Sequence, residues 1–277
     1  MRIKGKTAIV TGASSGLGRE VALLLAKYGA SVALVARRRE VLEAVAKEAQ
    51  ALDGEAKVVV VPLDVGDPAE VGAGLDLVRQ TLGEPDILVN AAGLGIWKRF
   101  AEVTEDEHHA MMRVNYWGAF HWIRLVLPGM RERRRGRIVN VSSGAGKIGF
   151  AVTSGYSASK FALTGLSEAL HRELLGSGVG VSCVHPGSMR TSFWNEANIP
   201  SSQLPPLIRF APKLSAKAVA RNICYCIWLG IPVRTLPIFV GLLTRANALW
   251  IRLGDLMLWK WFVPALVLAI VLRLLLR

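Results

Sequence analysis

The chain has 277 residues, 52% hydrophobic and 20% charged, with 27 Gly and 12 Pro, so it is long enough to bury a full core and is neither a low-complexity nor a disordered polymer. Cys183, Cys224 and Cys226 cannot build a disulfide framework, and neither their spacing nor the nearby histidines supply four zinc ligands, which points to a reducing compartment and no structural metal. The net charge of +13 is uneven: from Pro206 to Arg277 ten Lys/Arg stand against the single acid Asp255.

That basic segment is also the most apolar, which favours an anionic membrane surface over nucleic acid, where basic residues would be interleaved with polar ones and stacking aromatics. The cluster Arg131, Arg133, Arg134, Arg135 and Arg137 reads as a solvated helix end and loop. Met1 to Lys6 lead into a strand without a long apolar run, so no secretory signal is expected.

Thr7 to Thr11 is a β-rich run, followed by a glycine-studded turn and an apolar-periodic stretch through Leu17, Val21, Leu24, Leu25 and Tyr28: strand, turn, helix. Further apolar strands are expected near 31–36, 57–63, 86–90, 137–142 and 179–185, with helices near 39–52, 67–82, 104–133 and 154–176 between them. A helix near 215–229 and a last strand near 234–240 follow. Fully apolar strands alternating with helices imply an α/β fold, a Rossmann-like doubly wound parallel sheet covered by helices on both faces. One catalytic domain over residues 1–240 is expected, with a substrate loop at 188–213.

Thr11-Gly12-Ala13-Ser14-Ser15-Gly16-Leu17-Gly18 joins the first strand to the first helix. Such a turn lets backbone N–H groups approach a pyrophosphate, with the positive end of the helix dipole behind them. Its Gly-x-x-x-Gly-x-Gly spacing resembles that of the short-chain dehydrogenase/reductase family. Where an NAD site would place an acid, at the end of the second strand, stands Ala36 followed by Arg37, Arg38 and Arg39. Arginine suits a 2′-phosphate as a multidentate donor, so NADP(H) is favoured over NAD(H), with Arg37 the leading contact and Arg38 beside it. The alternative is that these arginines only solvate the next helix. Asp64, before Val65, resembles the family's adenine contact, and Asn90-Ala91-Ala92-Gly93 its Asn-Asn-Ala-Gly element, with Ala91 in place of the second Asn.

Tyr156 and Lys160, four apart, share one helix face. A phenol has a reference pKa near ~10, and a fixed ammonium nearby favours the phenolate, so Lys160 is expected to tune Tyr156 for proton transfer. Asn140-Val141-Ser142-Ser143-Gly144 closes the fifth strand at the ligand-binding edge. Ser143 has the family's usual separation from Tyr156, which leaves Ser142 a structural place or that of a donor supporting the site. Asn115 matches the remaining member of the tetrad that the resemblance implies. That resemblance further implies hydride transfer at nicotinamide, with Tyr156 exchanging a proton with the substrate oxygen, Ser143 polarising that oxygen, Lys160 also holding the nicotinamide ribose and Asn115 positioning a water. Pro186-Gly187-Ser188-Met189-Arg190-Thr191 resembles the element after the sixth strand, in which Thr191 meets the carboxamide. His185 and the three cysteines are read as structural, the cysteines as buried apolar packing.

The loop 188–213, with Met189, Phe193, Trp194, Ile199, Leu204, Leu207, Ile208 and Phe210, suits a lid over an apolar substrate, or a loop packing its own side chains on the core. Residues 241–277 form the extension. Leu243, Ala246, Trp250, Leu253, Met257 and Trp261 recur at helical spacing, with Arg245, Arg252 and Asp255 opposite. The apolar run from Trp261 to Leu272 reaches roughly 18 Å as a helix, short of the ~30 Å hydrocarbon core. Monotopic insertion from the cytosolic side is therefore expected, Trp250, Trp259 and Trp261 suiting the headgroup boundary; the alternative is a subunit-interface helix pair. Within the family, the membrane-associated members acting on 3-ketosphinganine, retinoids or steroids are the nearest analogies, and homodimers or homotetramers through the helices near 104–133 and 154–176 are implied. A membrane-bound NADPH-binding scaffold without turnover is the competing reading of the same chain.

Overall fold

The computed structural model describes residues 1–52, 56–190, 193, 213–237 and 241–242. Strands β1 (Thr7–Thr11), β2 (Ser31–Ala36), β3 (Val58–Pro62), β4 (Ile87–Asn90), β5 (Gly136–Val141), β6 (Val179–Pro186) and β7 (Val233–Leu236) form one sheet in the order β3-β2-β1-β4-β5-β6-β7. Every pairing is parallel, with Val10 opposite Val89, Asn90 opposite Asn140 and Val141 opposite Val184. The helices are α1 (Gly16–Lys27), α2 (Arg39–Leu52), α3 (Pro68–Leu82), α4 (Glu105–Met112), α5 (Gly118–Glu132), α6 (Ser154–Glu173) and α7 (Ala216–Leu229).

Because successive strand residues point to opposite faces, each strand feeds two cores. Ala8, Val10, Val32, Leu34, Ile87 and Val89 pack with α1, α2 and α7 through Val21, Leu25, Leu42 and Ile223. Ile9, Ala33, Val35, Leu88 and Ile138 pack with α3 and α5 through Leu75, Val78, Trp122 and Val126. Sheets covered on both faces need strands that are apolar throughout, which is why they lack the alternation of a half-exposed strand. Cys183, Cys224 and Cys226 are buried free thiols within this packing.

Helix starts follow local chemistry. Asp67 accepts from the N–H groups of Ala69 (2.8 Å) and Glu70 (3.2 Å) ahead of Pro68, and Thr104 and Glu107 form a reciprocal capping box. Two expectations change. The helix expected over 104–133 is interrupted by a π turn, Arg113–Trp117, between α4 and α5; the apolar periodicity runs through the turn and hides it. The last strand, expected near 234–240, is Val233–Leu236 and meets Pro237, which has no N–H to extend the ladder; residues 238–240 lie outside the described residues, as do 243–277 and nearly all of the loop from Thr191 to Pro212. Among the described residues no helix is long and apolar enough to cross a membrane.

From β1 the chain steps outward to β2 and β3, then returns to lay β4 on the other side of β1. The crossovers leave a crevice at the carboxyl ends of β1 and β4, the ligand position of open parallel sheets.

Candidate active site at the carboxyl edge of the sheet

The glycine turn lies across this crevice. Gly12 has φ +68, and a Cβ there would come within 2.8 Å of Ala91 O and Ala92 N; at Gly18 a Cβ would stand 2.2 Å from Gly12 O. Only glycine allows the turn to press against the β4 exit and α1 to close on the turn. Ser15, the N-cap of α1, makes no side-chain capping bond, unlike the caps of α3, α4 and α7. The first N–H groups of α1 are thus left without a side-chain acceptor at the positive end of the dipole, as a pyrophosphate requires. Of the candidates here, Leu17 is buried and Thr11 spends its hydroxyl as acceptor for the N–H groups of Ala91 and Ala92, both at 3.0 Å. Thr11 therefore ties β1 to the β4 exit.

Arg37 and Arg38 are exposed just beyond Ala36. Arg38 reaches Ser14 of the glycine turn, Nη2 to Oγ at 3.5 Å, while Arg39 pairs along α2 with Glu43. Asp64 receives Arg113 Nη1 at 2.9 Å and the Gly66 N–H at 2.9 Å. Burial alone would raise its pKa, but the Gly66 bond, Arg113 and Arg37 together bring it below the usual value. Val65 is 6% exposed and packs in the second core.

At the end of β4, Asn90 donates to Asn140 Oδ1 at 2.8 Å and Asn140 donates to Ser167 Oγ at 2.9 Å, a buried amide ladder from β4 through β5 to α6. Asn115, 1% exposed on the π turn, takes the Leu94 N–H and donates to Leu94 O, both at 2.8 Å, and donates to Ser159 Oγ at 2.9 Å. It clamps the segment after Gly93 to α6. A Cβ on Gly93 would lie 3.4 Å from Asn115 Oδ1 and 3.7 Å from Lys160 Nζ.

Ser143, Tyr156 and Lys160 converge beside this clamp. The Ser143 oxygen accepts the Ala145 N–H at 3.1 Å and its hydroxyl bonds to Tyr156. Lys160 Nζ donates to Val141 O at 2.9 Å and lies 5.8 Å from the Tyr156 ring centroid. The ammonium was expected to pull the phenol pKa down; burial is the stronger effect and pushes Tyr156 up to about 12, the Ser143 bond acting against it. Burial also pushes Lys160 down to about 8. Behind Lys160 lies a buried hydroxyl cluster: Ser142 donates to Lys160 O at 3.0 Å and meets Thr164 at 2.9 Å, and Thr164 meets His185 Nε2 at 3.2 Å. Ser142 and His185 are both buried in this cluster. Pro186 ends β6, Gly187 N–H donates to Leu236 O at 2.7 Å, and Thr191 lies outside the described residues.

The sequence reading missed Trp97 and Arg113. Trp97 is 5% exposed with its ring centroid 4.8 Å from that of Tyr156. It stands in no motif, and only the spacing from Gly93 could have pointed to it.

The short chain dehydrogenase family model matches residues 6–201. The 3-dehydrosphinganine reductase of Danio rerio is 38% identical over 201 residues, 72% of this chain and 60% of the relative, so the chain spans under two thirds of that protein's length. The ketoacyl reductase HetN of Nostoc sp. is 36% identical over 222 residues, covering 80% of this chain and 76% of the relative. Among solved structures, a short chain dehydrogenase/reductase from Burkholderia phymatum in complex with NAD aligns with a TM-score of 0.82 at 27% identity, covering 91% of this chain and 96% of that one. L-Sorbose reductase from Gluconobacter frateurii, complexed with NADPH and L-sorbose, aligns with a TM-score of 0.76 at 26% identity over 85% and 97% of the two chains.

Proposed function

Because the chain belongs to the short-chain dehydrogenase/reductase family, we propose that it is an NADPH-dependent reductase of ketones or aldehydes, acting on an apolar, lipid-like carbonyl compound. The observation that carries the reading is the convergence of Ser143, Tyr156 and Lys160 at the carboxyl edge of the sheet, beside a glycine turn whose helix N-terminus has no side-chain cap.

The residues present fit a dinucleotide. The N–H groups at the start of α1, in the cradle shaped by Gly12, Gly16 and Gly18, would hold its pyrophosphate, Asp64 its adenine and Gly187 with Thr191 its carboxamide. Arg37 and Arg38, with Ser14 beside them, would hold a 2′-phosphate, and no carboxylate stands between Ala36 and Arg39 to repel it. Bound nicotinamide supplies the hydride. Tyr156, kept protonated by burial, donates the proton to the carbonyl oxygen, which suits reduction. Ser143, whose oxygen already accepts the Ala145 N–H, turns its proton toward that same oxygen. Lys160 places its ammonium 5.8 Å from the phenol ring centroid and would hold the ribose of a bound dinucleotide. Asn115 holds the Leu94 segment that borders the site.

Leu94, Ile96, Trp97, Met111, Phe150 and Phe193 surround Tyr156 with apolar surface, and two relatives are named as reductases of keto lipids or ketoacyl groups. Residues 241–277 would seat the enzyme on the cytosolic face of a membrane. Trp117 on the π turn and Phe161 on α6, each 44% exposed, suit burial in a homodimer or homotetramer.

The test is NADPH and NADH oxidation by detergent-solubilised protein across ketones from short-chain to long-chain 3-keto lipids. Turnover with NADPH that rises with chain length and falls by about 10³-fold in Tyr156→Phe is expected. Equal turnover in the variant removes Tyr156 from the chemistry.

A further inference from the structure

The segment after Gly93 brings two aromatic rings against the phenol. Trp97 lies 4.8 Å from Tyr156 between centroids with the planes at 56°, and Phe193 lies 5.9 Å from Tyr156 at 50°. Trp97 and Phe193 meet edge to face, 6.3 Å apart at 88°. Gly95 is what permits this closure, since a Cβ there would stand 2.9 Å from Phe193 Cζ and 3.0 Å from Trp97 Cζ2. Tyr156 is 5% exposed, and among the described residues these two rings lie against its own.

Trp97 is also fixed from behind. The next residue, Lys98, donates its N–H to Val152 O at 3.1 Å and its ammonium to Glu107. Val152 has φ +60, a left-handed conformation that is strained for a β-branched residue and persists only where the surroundings over-determine it. That strained carbonyl sits at the entrance to α6 and anchors the strip carrying Trp97 to the helix carrying Tyr156. An indole so held is a wall.

We propose that Trp97 determines specificity: its indole narrows the approach to Tyr156 so that a carbonyl on an unbranched methylene chain enters and a ketone set in a fused ring system does not. The proposal rests on the reductase reading above and selects between the two substrate classes, long-chain lipids and steroid-like ketones, that the sequence leaves open. A methylene chain lies thin and apolar between aromatic faces, whereas a ring fused at the carbonyl has width in the plane where Trp97 and Phe193 close.

The experiment uses the full chain with NADPH and two ketones of equal carbon number, 3-decanone and 2-decalone, in wild type, Trp97→Ala and Trp97→Phe. The wild type is expected to favour the linear ketone by about 100-fold in kcat/KM, Trp97→Ala to shrink that ratio at least about tenfold, chiefly by gaining the bicyclic ketone, and Trp97→Phe to fall between. The same comparison is made without chemistry, from the rise in melting temperature that 3-decanone or 2-decalone gives the NADP⁺ complex, which holds no hydride to transfer. A ratio near one in wild type, or an unchanged ratio in a Trp97→Ala protein that still melts cooperatively and shifts with NADPH, overturns the proposal; if that variant does not fold, Trp97→Phe decides. No turnover of either ketone, with a linear preference in the melting shifts that Trp97→Ala abolishes, upholds the wall and overturns the reductase reading. No preference in the shifts overturns the wall whatever the turnover.

Discussion

At Tyr156 burial and the Ser143 hydroxyl act in opposite directions, and burial wins. Lys160 is depressed to about 8 by the same burial, nearer to neutral pH than Tyr156. As pH rises through that value the ammonium is lost, so kcat/KM is expected to fall on the alkaline side with a limb near pH 8. In Lys160→Arg the limb moves beyond the measurable range while residual activity persists, because guanidinium stays charged. Arg37→Ala and Arg38→Ala should each raise the KM for NADPH roughly tenfold, the loss of one charge-assisted contact, and leave that for NADH unchanged. The residue types of the site were legible because few others do this chemistry: glycine at Gly12 and Gly18, a phenol and an amine four apart, arginines where an acid would stand. The sign of the phenol's shift was not, since desolvation depends on what the rest of the chain packs around it.

The helical elements show the same division. Asp67-Pro68 and Thr104 to Glu107 announce helix starts through their own chemistry, and α3 and α4 begin where they say. The π turn at Arg113–Trp117 makes no such announcement, and the bonds Asn115 makes from it to Leu94 are tertiary ones that no local pattern shows. Asn115→Ala would leave the Leu94 N–H and carbonyl without partners and lower stability by about 2 kcal/mol, measurable by urea denaturation. Leu94 would loosen with it, and Trp97 three residues on, so the variant should lose catalysis beyond what its stability explains. Gly18→Ala tests the other close approach: its Cβ would overlap Gly12 O, and weaker NADPH binding by at least about tenfold is expected with a destabilisation of about 1–3 kcal/mol.

For the molecule as a whole, the buried polar groups beneath the sheet's carboxyl edge set its response to acid. His185, fully buried between Thr164 and Cys183 and near Lys147 and Lys160, is pushed down to about 3 by burial and those cations. Its folded pKa lies below its unfolded value, so the unfolded chain binds the extra proton between the two; stability is complete above about pH 6.5 and declines as pH falls. Relative to pH 8 the loss at pH 5 is about 2 kcal/mol in urea titrations, and His185→Gln should remove it. The parallel sheet, the double layer of helices and the ligand edge were all legible from apolar strands alternating with helices. The place of Trp97 over the site was not, because it meets Tyr156 only through tertiary packing; Phe193 stands in the loop read from the sequence as a lid or as packing on the core. The π turn carries a further consequence for how such a chain can change over generations. Excising one residue there would restore an ordinary helix and rotate α5 by roughly 100° against the sheet, swinging Trp122 out of the second core and Asn115 away from Leu94 in one event. Chain length matters to this turn as residue type matters at Tyr156, so gains and losses of residues between related chains should fall in the loops and spare 113–117.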